Sequence, residues 1–342
     1  MRIELGIARP VVSRLLSRPA FLAISPCMIR DRGLMKDVLQ KLWGVTCYFN
    51  PNGYNTKLKN YKIFKEALEH SGVPLLTVEC AFGDDQYNLP DDDYVIKVRA
   101  HDVLWQKERL LNIALSHLPP SCSKVLWLDA DVLFENPSWA EQTASLLNSK
   151  AVVQPFDRVV RLPEGHIAYH GDGEEWQSFA DAMVIDPDSL LKGDFSNHGH
   201  TGFAWAANRN VLEKHGFYDA CISGSGDHMM AHAFAGDWES PCIDRILGAN
   251  NAHRAHFARW ARPIYPEIRA KIGTVPGRLL HLWHGDHVNR RYVLRNQELA
   301  RFGFDPERDI RISQSGCWEW ASDRPELHQW ARDYYAGRKE DG

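Results

Sequence analysis

No run of about 18 apolar residues occurs in the 342-residue chain, so the sequence predicts no membrane-spanning helix. No two cysteines stand in Cys-x-x-Cys spacing. The seven are odd in number and scattered, at 27, 47, 80, 122, 221, 242 and 317, which argues for reduced thiols in a reducing compartment. Internal repeats and low-complexity blocks are absent, which excludes solenoids and tail-like segments. Charge of one sign is also scarce: the formal net charge of -4 gives no overall attraction to nucleic acid or an anionic membrane. The N-terminus lacks the layout of a signal peptide. Arg2, Arg9, Arg14 and Arg18 accompany a short apolar patch near Phe21 to Ile29, and Pro10, Pro19 and Pro26 interrupt it. These absences predict a cytoplasmic protein of bacterial or viral (phage) origin.

What remains is ordinary globular composition, 44% hydrophobic and 25% charged. The length suits one large α/β domain with appended segments: an extension over 1–41, a catalytic unit over 42–292, and an extension over 293–342 that packs on it. The near-neutral total conceals an asymmetry. Residues 249–312 carry twelve Lys/Arg against six Asp/Glu, a local +6 against -10 elsewhere. His253, His256, Trp260 and Tyr265 interleave with these cations. The stretch reads either as a site for a diphosphate or polyanionic acceptor, or as a solvated mixed surface.

Strand and helix signals alternate. Val45 to Phe49 is β-rich and ends in the turn cluster Asn50-Pro51-Asn52-Gly53. Tyr54 to His70 has apolar residues at helical spacing, and Pro74 to Glu79 reads as a second strand. Strand, helix, strand in that order implies a right-handed crossover and a parallel sheet. Val103 to Leu118 is helical and stops at Pro119-Pro120. Val125 to Leu128, Ala151 to Gln154, Gly202 to Ala207 and Leu279 to Trp283 read as further strands, and helices begin at Asn210 and Asp227. Residues 155–200, rich in Gly, Asp and His, read as a long loop region.

The chemistry begins at Asp129-Ala130-Asp131, where the buried strand Val125 to Leu128 ends. Two carboxylates there are costly unless something pairs with them. Open α/β sheets place ligands at that edge, and carboxylates at i and i+2 can share a hard divalent cation. The alternative is a carboxylate pair capping the next turn. Glu79 ends the second strand at the same edge, either as a nucleoside-binding acid or as a loop charge. Arg109 and Asn112 share a helix face, while Lys107 and Glu108 read as its solvated side. Asp227, at a predicted helix start, is either a base held ionised by the helix dipole or a simple N-cap. His281 and His284 offer imidazoles suited to Mn²⁺. Both can bind one ion only if the strand ends between them, because i and i+3 on a strand face opposite ways.

These segments resemble, in order, those of GT-A-fold glycosyltransferases, particularly inverting β-1,4-galactosyltransferase-like and chondroitin-polymerase-like enzymes. Lys124-Val-Leu-Trp-Leu-Asp-Ala-Asp131 resembles their Asp-x-Asp segment, and Arg109-Leu-Leu-Asn112 their Arg-x-Leu-Leu-Asn helix. The run from Thr201 to Asp219, followed by Gly224-Ser-Gly-Asp227, resembles their acceptor-side segment. In it Gly226 replaces the usual acid. The resemblance implies a GT-A mixed α/β sheet flanked by helices. It implies transfer from a nucleotide-diphosphate sugar (a UDP-sugar) to an acceptor hydroxyl with inversion, with Mn²⁺ or Mg²⁺ as cofactor. By the same resemblance, Asp131, His284 and His281 are metal ligands and Asp227 is the general base. Glu79, Arg109, Asn112, Asp129 and Arg291 bind the donor. A glycan, protein, lipid precursor or hydroxymethylated DNA base would be the acceptor. Two alternatives remain: a sugar-nucleotide nucleotidyltransferase, whose Gly-rich basic loop Asn50 to Tyr54 does not match, and a non-catalytic nucleic-acid- or glycan-binding protein.

Overall fold

A computed structural model describes residues 41–171, 173–188, 198–269 and 271–342. Apart from Lys41, the expected N-terminal extension lies outside the described residues. The chain forms the mixed α/β sheet flanked by helices that the sequence predicts. The strands of its two larger sheets are β1 Leu42–Phe49, β2 Leu75–Phe82, β3 Val95–Ala100, β4 Lys124–Leu128, β5 Val132–Phe134, β6 Val152–Gln154, β7 Arg158–Arg161, β8 Glu175–Gln177, β9 Ala204–Asn208, β10 Ile272–Thr274 and β11 Arg278–His281. Seven build the main sheet in the order β10-β6-β9-β4-β1-β2-β3. The β1–β2 pair is parallel and is joined by the helix Asn55–His70, as the crossover argument requires. β9 runs antiparallel to both its neighbours.

Alternation along the strands divides the core in two. On β4, Val125 and Trp127 enter one apolar cluster, while Leu126 and Leu128 enter the other. Helices cover both faces, which is why these strands read as continuous apolar runs. Trp127 lies opposite Trp205 across β4 and β9, rings 6.4 Å apart and nearly parallel. This cross-strand pair commits both indoles to the core.

The region 155–200 departs from the expected loop. It contributes β7, β8 and the helix Phe179–Ile185. β7 and β8 join β5 and β11 in a second sheet, ordered β5-β11-β7-β8. Arg158-Val-Val-Arg161 sets two buried valines between two arginines, a four-residue pattern with no period-2 alternation and too short to separate from a loop. The basic aromatic stretch also differs from expectation. Its first part is the helix Asn251–Ile268, whose aromatic side packs inward. His253 is buried against Tyr218 and Phe304, and Trp260 donates to the carbonyls of His215 and Gly216. Only part of its charge, Arg290 and Arg295, faces the central cavity. Among the described residues no helix is long and apolar enough to cross a membrane.

Candidate active site

The second sheet explains how distant residues meet. β5 starts immediately after Asp131 and pairs antiparallel with β11, placing His281 opposite Val132. The Leu282 N–H donates to the Asp131 carbonyl at 2.8 Å. β11 then ends at His281, so the chain turns before His284, and both imidazoles reach one carboxylate. His284 Nε2 lies 3.2 Å from Asp131 Oδ2, His281 Nε2 lies 3.7 Å from Oδ1, and the two nitrogens are 2.9 Å apart. At the turn, Gly285 has φ +84°, and a Cβ there would lie 2.4 Å from the Lys339 carbonyl oxygen. Only glycine lets the C-terminal segment lie so close. That segment brings Glu340 within 3.7 Å of His284 Nδ1 and 3.3 Å of Lys57.

The electrostatics suit a cation. Asp131 Oδ1 is buried and makes no hydrogen bond. Burial, reinforced by repulsion from Asp129, pushes the Asp131 carboxyl up to about 7. Burial and the Arg290 guanidinium hold His284 down at about 3, and burial and His284 hold His281 well below its usual value. Both imidazoles are therefore in the neutral, ligating form. A carboxylate and two neutral imidazoles, with ligand atoms all within 4.8 Å of one another, fit a divalent metal of the Mn²⁺ type.

Asp129 faces a different partner. Its Oδ1 is 2.5 Å from Lys107 Nζ, which is also 2.5 Å from Asp227 Oδ2. The two carboxylates are thus clamped on one ammonium and lie no more than about 5 Å apart. This corrects the sequence reading: Lys107 and Glu108 are 7% and 2% exposed, not a solvated face. Burial pulls the Lys107 ammonium down, but Asp129 and Asp227 hold it well above the ordinary lysine value. Burial raises Asp227 above the usual carboxylate range, and Lys107 opposes the rise. A signal for Lys107 existed: it opens a helix that follows β3, at the strand edge where ligands bind.

Glu108 fills the space left by Gly226. A Cβ at Gly226 would lie 2.2 Å from Glu108 Oε1, so the glycine makes room for that carboxyl beside Asp227. Trp105 Nε1 donates to Glu108 Oε2 at 3.1 Å. Burial raises Glu108 to about 8. A raised folded-state value favours folding in the protonated form, so its contribution is complete below about 4.5 and is lost as pH rises through about 8. Glu108→Gln stays neutral. Its melting temperature relative to the parent is therefore expected to rise between about pH 5 and about pH 8.5. Parallel pH curves for the two proteins would refute the assignment.

Asp227 is not a helix N-cap. It lies in the first turn of the helix Gly226–Ala235, whose N-cap is Ser225. Ser225 and Phe203 both hold left-handed backbone, φ 80° and 79°, and both line the cavity. Each is fixed from outside: Arg295 Nη2 donates to Ser225 Oγ, and the Asp129 N–H donates to the Phe203 carbonyl. Such conformations persist only where the surroundings over-determine them.

The Asp131–His281–His284 cluster, the Lys107 clamp and Asp227 all line one cavity of about 680 Å³. Lys57, Arg161, Arg290, Arg295 and Arg338 bring positive charge to it. Arg161 lies over the Trp176 ring at 4.7 Å, and Arg290 donates to the His284 carbonyl at 2.6 Å. The structure adds Lys107, Arg161, Arg338 and Glu340 to the site. The last three carried no sequence signal: the short strand β7 brings Arg161 there, beside His281, and the C-terminal segment brings Arg338 and Glu340.

Four predicted donor contacts lie elsewhere. Arg109 and Asn112 share a helix face as expected, but that face meets the Gly216–Asp219 turn. Both donate to Asp219 Oδ2, at 2.9 and 2.8 Å, and neither lines the cavity. Arg291 adopts left-handed backbone and turns outward to pair with Glu298, leaving Arg290 to point inward. Glu79 is buried. Its carboxylate accepts from the backbone N–H groups of Asn88 and Leu89, and it borders a separate cleft of about 430 Å³ that shares Tyr48 with the main cavity.

No protein-family model matches the chain, and no curated protein matches it significantly. Several solved structures are similar to it. One is Drosophila β1,4-galactosyltransferase 7 in complex with manganese, UDP-Gal and xylobiose, at 9% identity over 84% of this chain and 98% of that one, TM-score 0.36. A second is a glycosyltransferase involved in glycosylation of the major capsid of PBCV-1, at 9% identity over 74% and 98%, TM-score 0.32. A third is 4-diphosphocytidyl-2C-methyl-D-erythritol synthase from Anaerococcus prevotii, at 11% identity over 71% and 89%, TM-score 0.33. What the cavity does is carried by its own residues.

Proposed function

We propose that the protein is a metal-dependent glycosyltransferase that moves a hexosyl group from a UDP-sugar to an acceptor hydroxyl with inversion. One observation carries this reading: Asp131, His281 and His284 converge in the same basic cavity as the Lys107-clamped Asp227. A divalent cation of the Mn²⁺ or Mg²⁺ type, when held by Asp131, His281 and His284, supplies Lewis-acid neutralisation of the diphosphate leaving group. Lys57, Arg161 and Arg290 provide further positive charge for the phosphates. Trp176 offers an apolar face for the sugar or base beside Arg161. Trp127 and Trp205, locked together in the core, do not.

Asp227 accepts the acceptor hydroxyl proton on its carboxylate while the oxygen attacks the anomeric carbon from the face opposite the leaving group. Lys107 orients that carboxylate and keeps it charged. The catalytic unit extends past residue 292, since Arg295 and Arg338 line the cavity and Glu340 stands behind His284. The acceptor belongs to the hydroxyl-bearing classes: a glycan, protein, lipid precursor or modified DNA base. A panel of nucleotide sugars tested by thermal shift and by nucleoside-diphosphate release, with and without Mn²⁺, decides the matter. At roughly 100-fold excess over Kd a true donor stabilises by about 2.7 kcal/mol, and we expect that stabilisation to require Mn²⁺. Absence of both a shift and diphosphate release across the panel would reject the proposal.

A further inference from the structure

A second cluster of ligating side chains forms part of the cavity wall, through His198 and His228, and takes no part in the chemistry proposed above. His198, His228, His232 and Cys242 are all buried, and their ligating atoms lie within 4.8 Å of one another. His228 and His232 stand four residues apart on one face of the helix Gly226–Ala235. Cys242 comes from the first turn of the helix Pro241–Leu247. His198 immediately precedes Gly199 to Phe203, which line the cavity. Ring centroids of the three imidazoles are 4.5–5.1 Å apart.

The geometry points to a structural zinc site of His₃Cys composition. Two of the imidazoles are oriented as metal ligands usually are, with one nitrogen anchored to an outer partner that fixes the ring and tautomer. His232 Nδ1 lies 2.8 Å from Asp237 Oδ2, and His198 Nδ1 lies 2.7 Å from the Gly199 carbonyl oxygen. An oxygen acceptor at Nδ1 places the proton there and leaves the lone pair on Nε2. His232 Nε2 is buried and makes no hydrogen bond. Zn²⁺ binds nitrogen at about 2.0–2.1 Å and thiolate at about 2.3 Å, so a tetrahedral His₃Cys shell needs donors about 3.3–3.6 Å apart. A small inward movement of side chains already within 4.8 Å supplies that spacing. Four protein donors complete the shell, which is the mark of a structural rather than a catalytic zinc. The donor set also separates this site from the Asp131 cluster. Thiolate and three imidazoles select Zn²⁺, whereas the carboxylate-containing cluster suits a harder ion.

The consequence is mechanical. The ion ties the helix that carries Asp227 to the helix Pro241–Leu247 and to the segment leading into Phe203. Both walls of the acceptor side are thereby fixed to each other, and His228 adjoins Asp227 directly. A sequence signal was present in Asp227-His-Met-Met-Ala-His232, since histidines at i and i+4 on a helix are a ligating pair. The scattered cysteines gave no reason to connect them with Cys242.

The test is the metal content of the full chain, purified without chelators and dialysed extensively. We expect one zinc per chain in the parent and in Asp131→Ala, and none in Cys242→Ser. Replacement by Co²⁺ should give tetrahedral d–d bands and a thiolate-to-cobalt charge-transfer band, the latter absent in Cys242→Ser. If Cys242→Ser does not fold, the cobalt spectrum of the parent alone decides. Substoichiometric zinc together with no charge-transfer band overturns the site. So does zinc retained in Cys242→Ser but lost in Asp131→Ala.

Discussion

Asp131→Ala is expected to lose Mn²⁺-stimulated donor binding, with transfer falling about 10³-fold. Lewis-acid stabilisation of a leaving diphosphate is worth several kcal/mol, and each 1.36 kcal/mol is about a factor of ten in rate. Among the described residues Asp131 provides the only carboxylate of its cluster, so its loss leaves two neutral imidazoles that hold a hard cation poorly. The effect is separable from misfolding by the sign of the stability change. Burial raises Asp131 to about 7 from its ordinary value of 3.8, so its contribution to stability is complete below about 3.8 and is lost as pH rises through about 7. Without metal at about pH 8, the alanine variant should therefore melt no lower than the parent. With Mn²⁺ and donor present, the parent alone should gain. A variant that keeps Mn²⁺-dependent turnover would remove Asp131 from the metal shell, and one that melts far below the parent without metal would make its role structural.

Asp227→Asn is expected to lower turnover by about 10²-fold or more with donor KM nearly unchanged, because a general base acts on the acceptor proton. The competing account is structural: Asp227 exists to pair with Lys107. Asparagine keeps the shape and can accept from Lys107, which also retains Asp129 2.5 Å away. A purely structural residue would thus lose modest stability and little turnover. The base account predicts the opposite division, a small change in melting temperature and a large change in kcat. The anomeric configuration of the product gives an independent check, since a base at Asp227 goes with inversion. Near-parental kcat in the variant, or a product that retains the donor configuration, would move the base elsewhere.

The sequence by itself determined the local elements and the chemistry at their ends. The apolar run before Asp129, the helical spacing from Tyr54 to His70, and the two histidines three apart at a strand end are properties of short windows. Local propensity and periodicity decide them. Hence the sheet class and the placement of Asp131, Asp227, His281 and His284 at element ends could be read in advance. Tertiary structure alone decided which side chains share a space. Asp131 meets His284 because β5 and β11 pair across about 150 residues of sequence. Helical periodicity alone does not distinguish the inward-facing Lys107 from Arg109 two residues on, which turns to Asp219, or Arg290 from Arg291. One or two residues of helix or turn rotation decide which side chain enters the cavity. The four zinc donors meet for the same reason: burial of an apolar core brings remote segments together, and no short window of the chain records which segments those are.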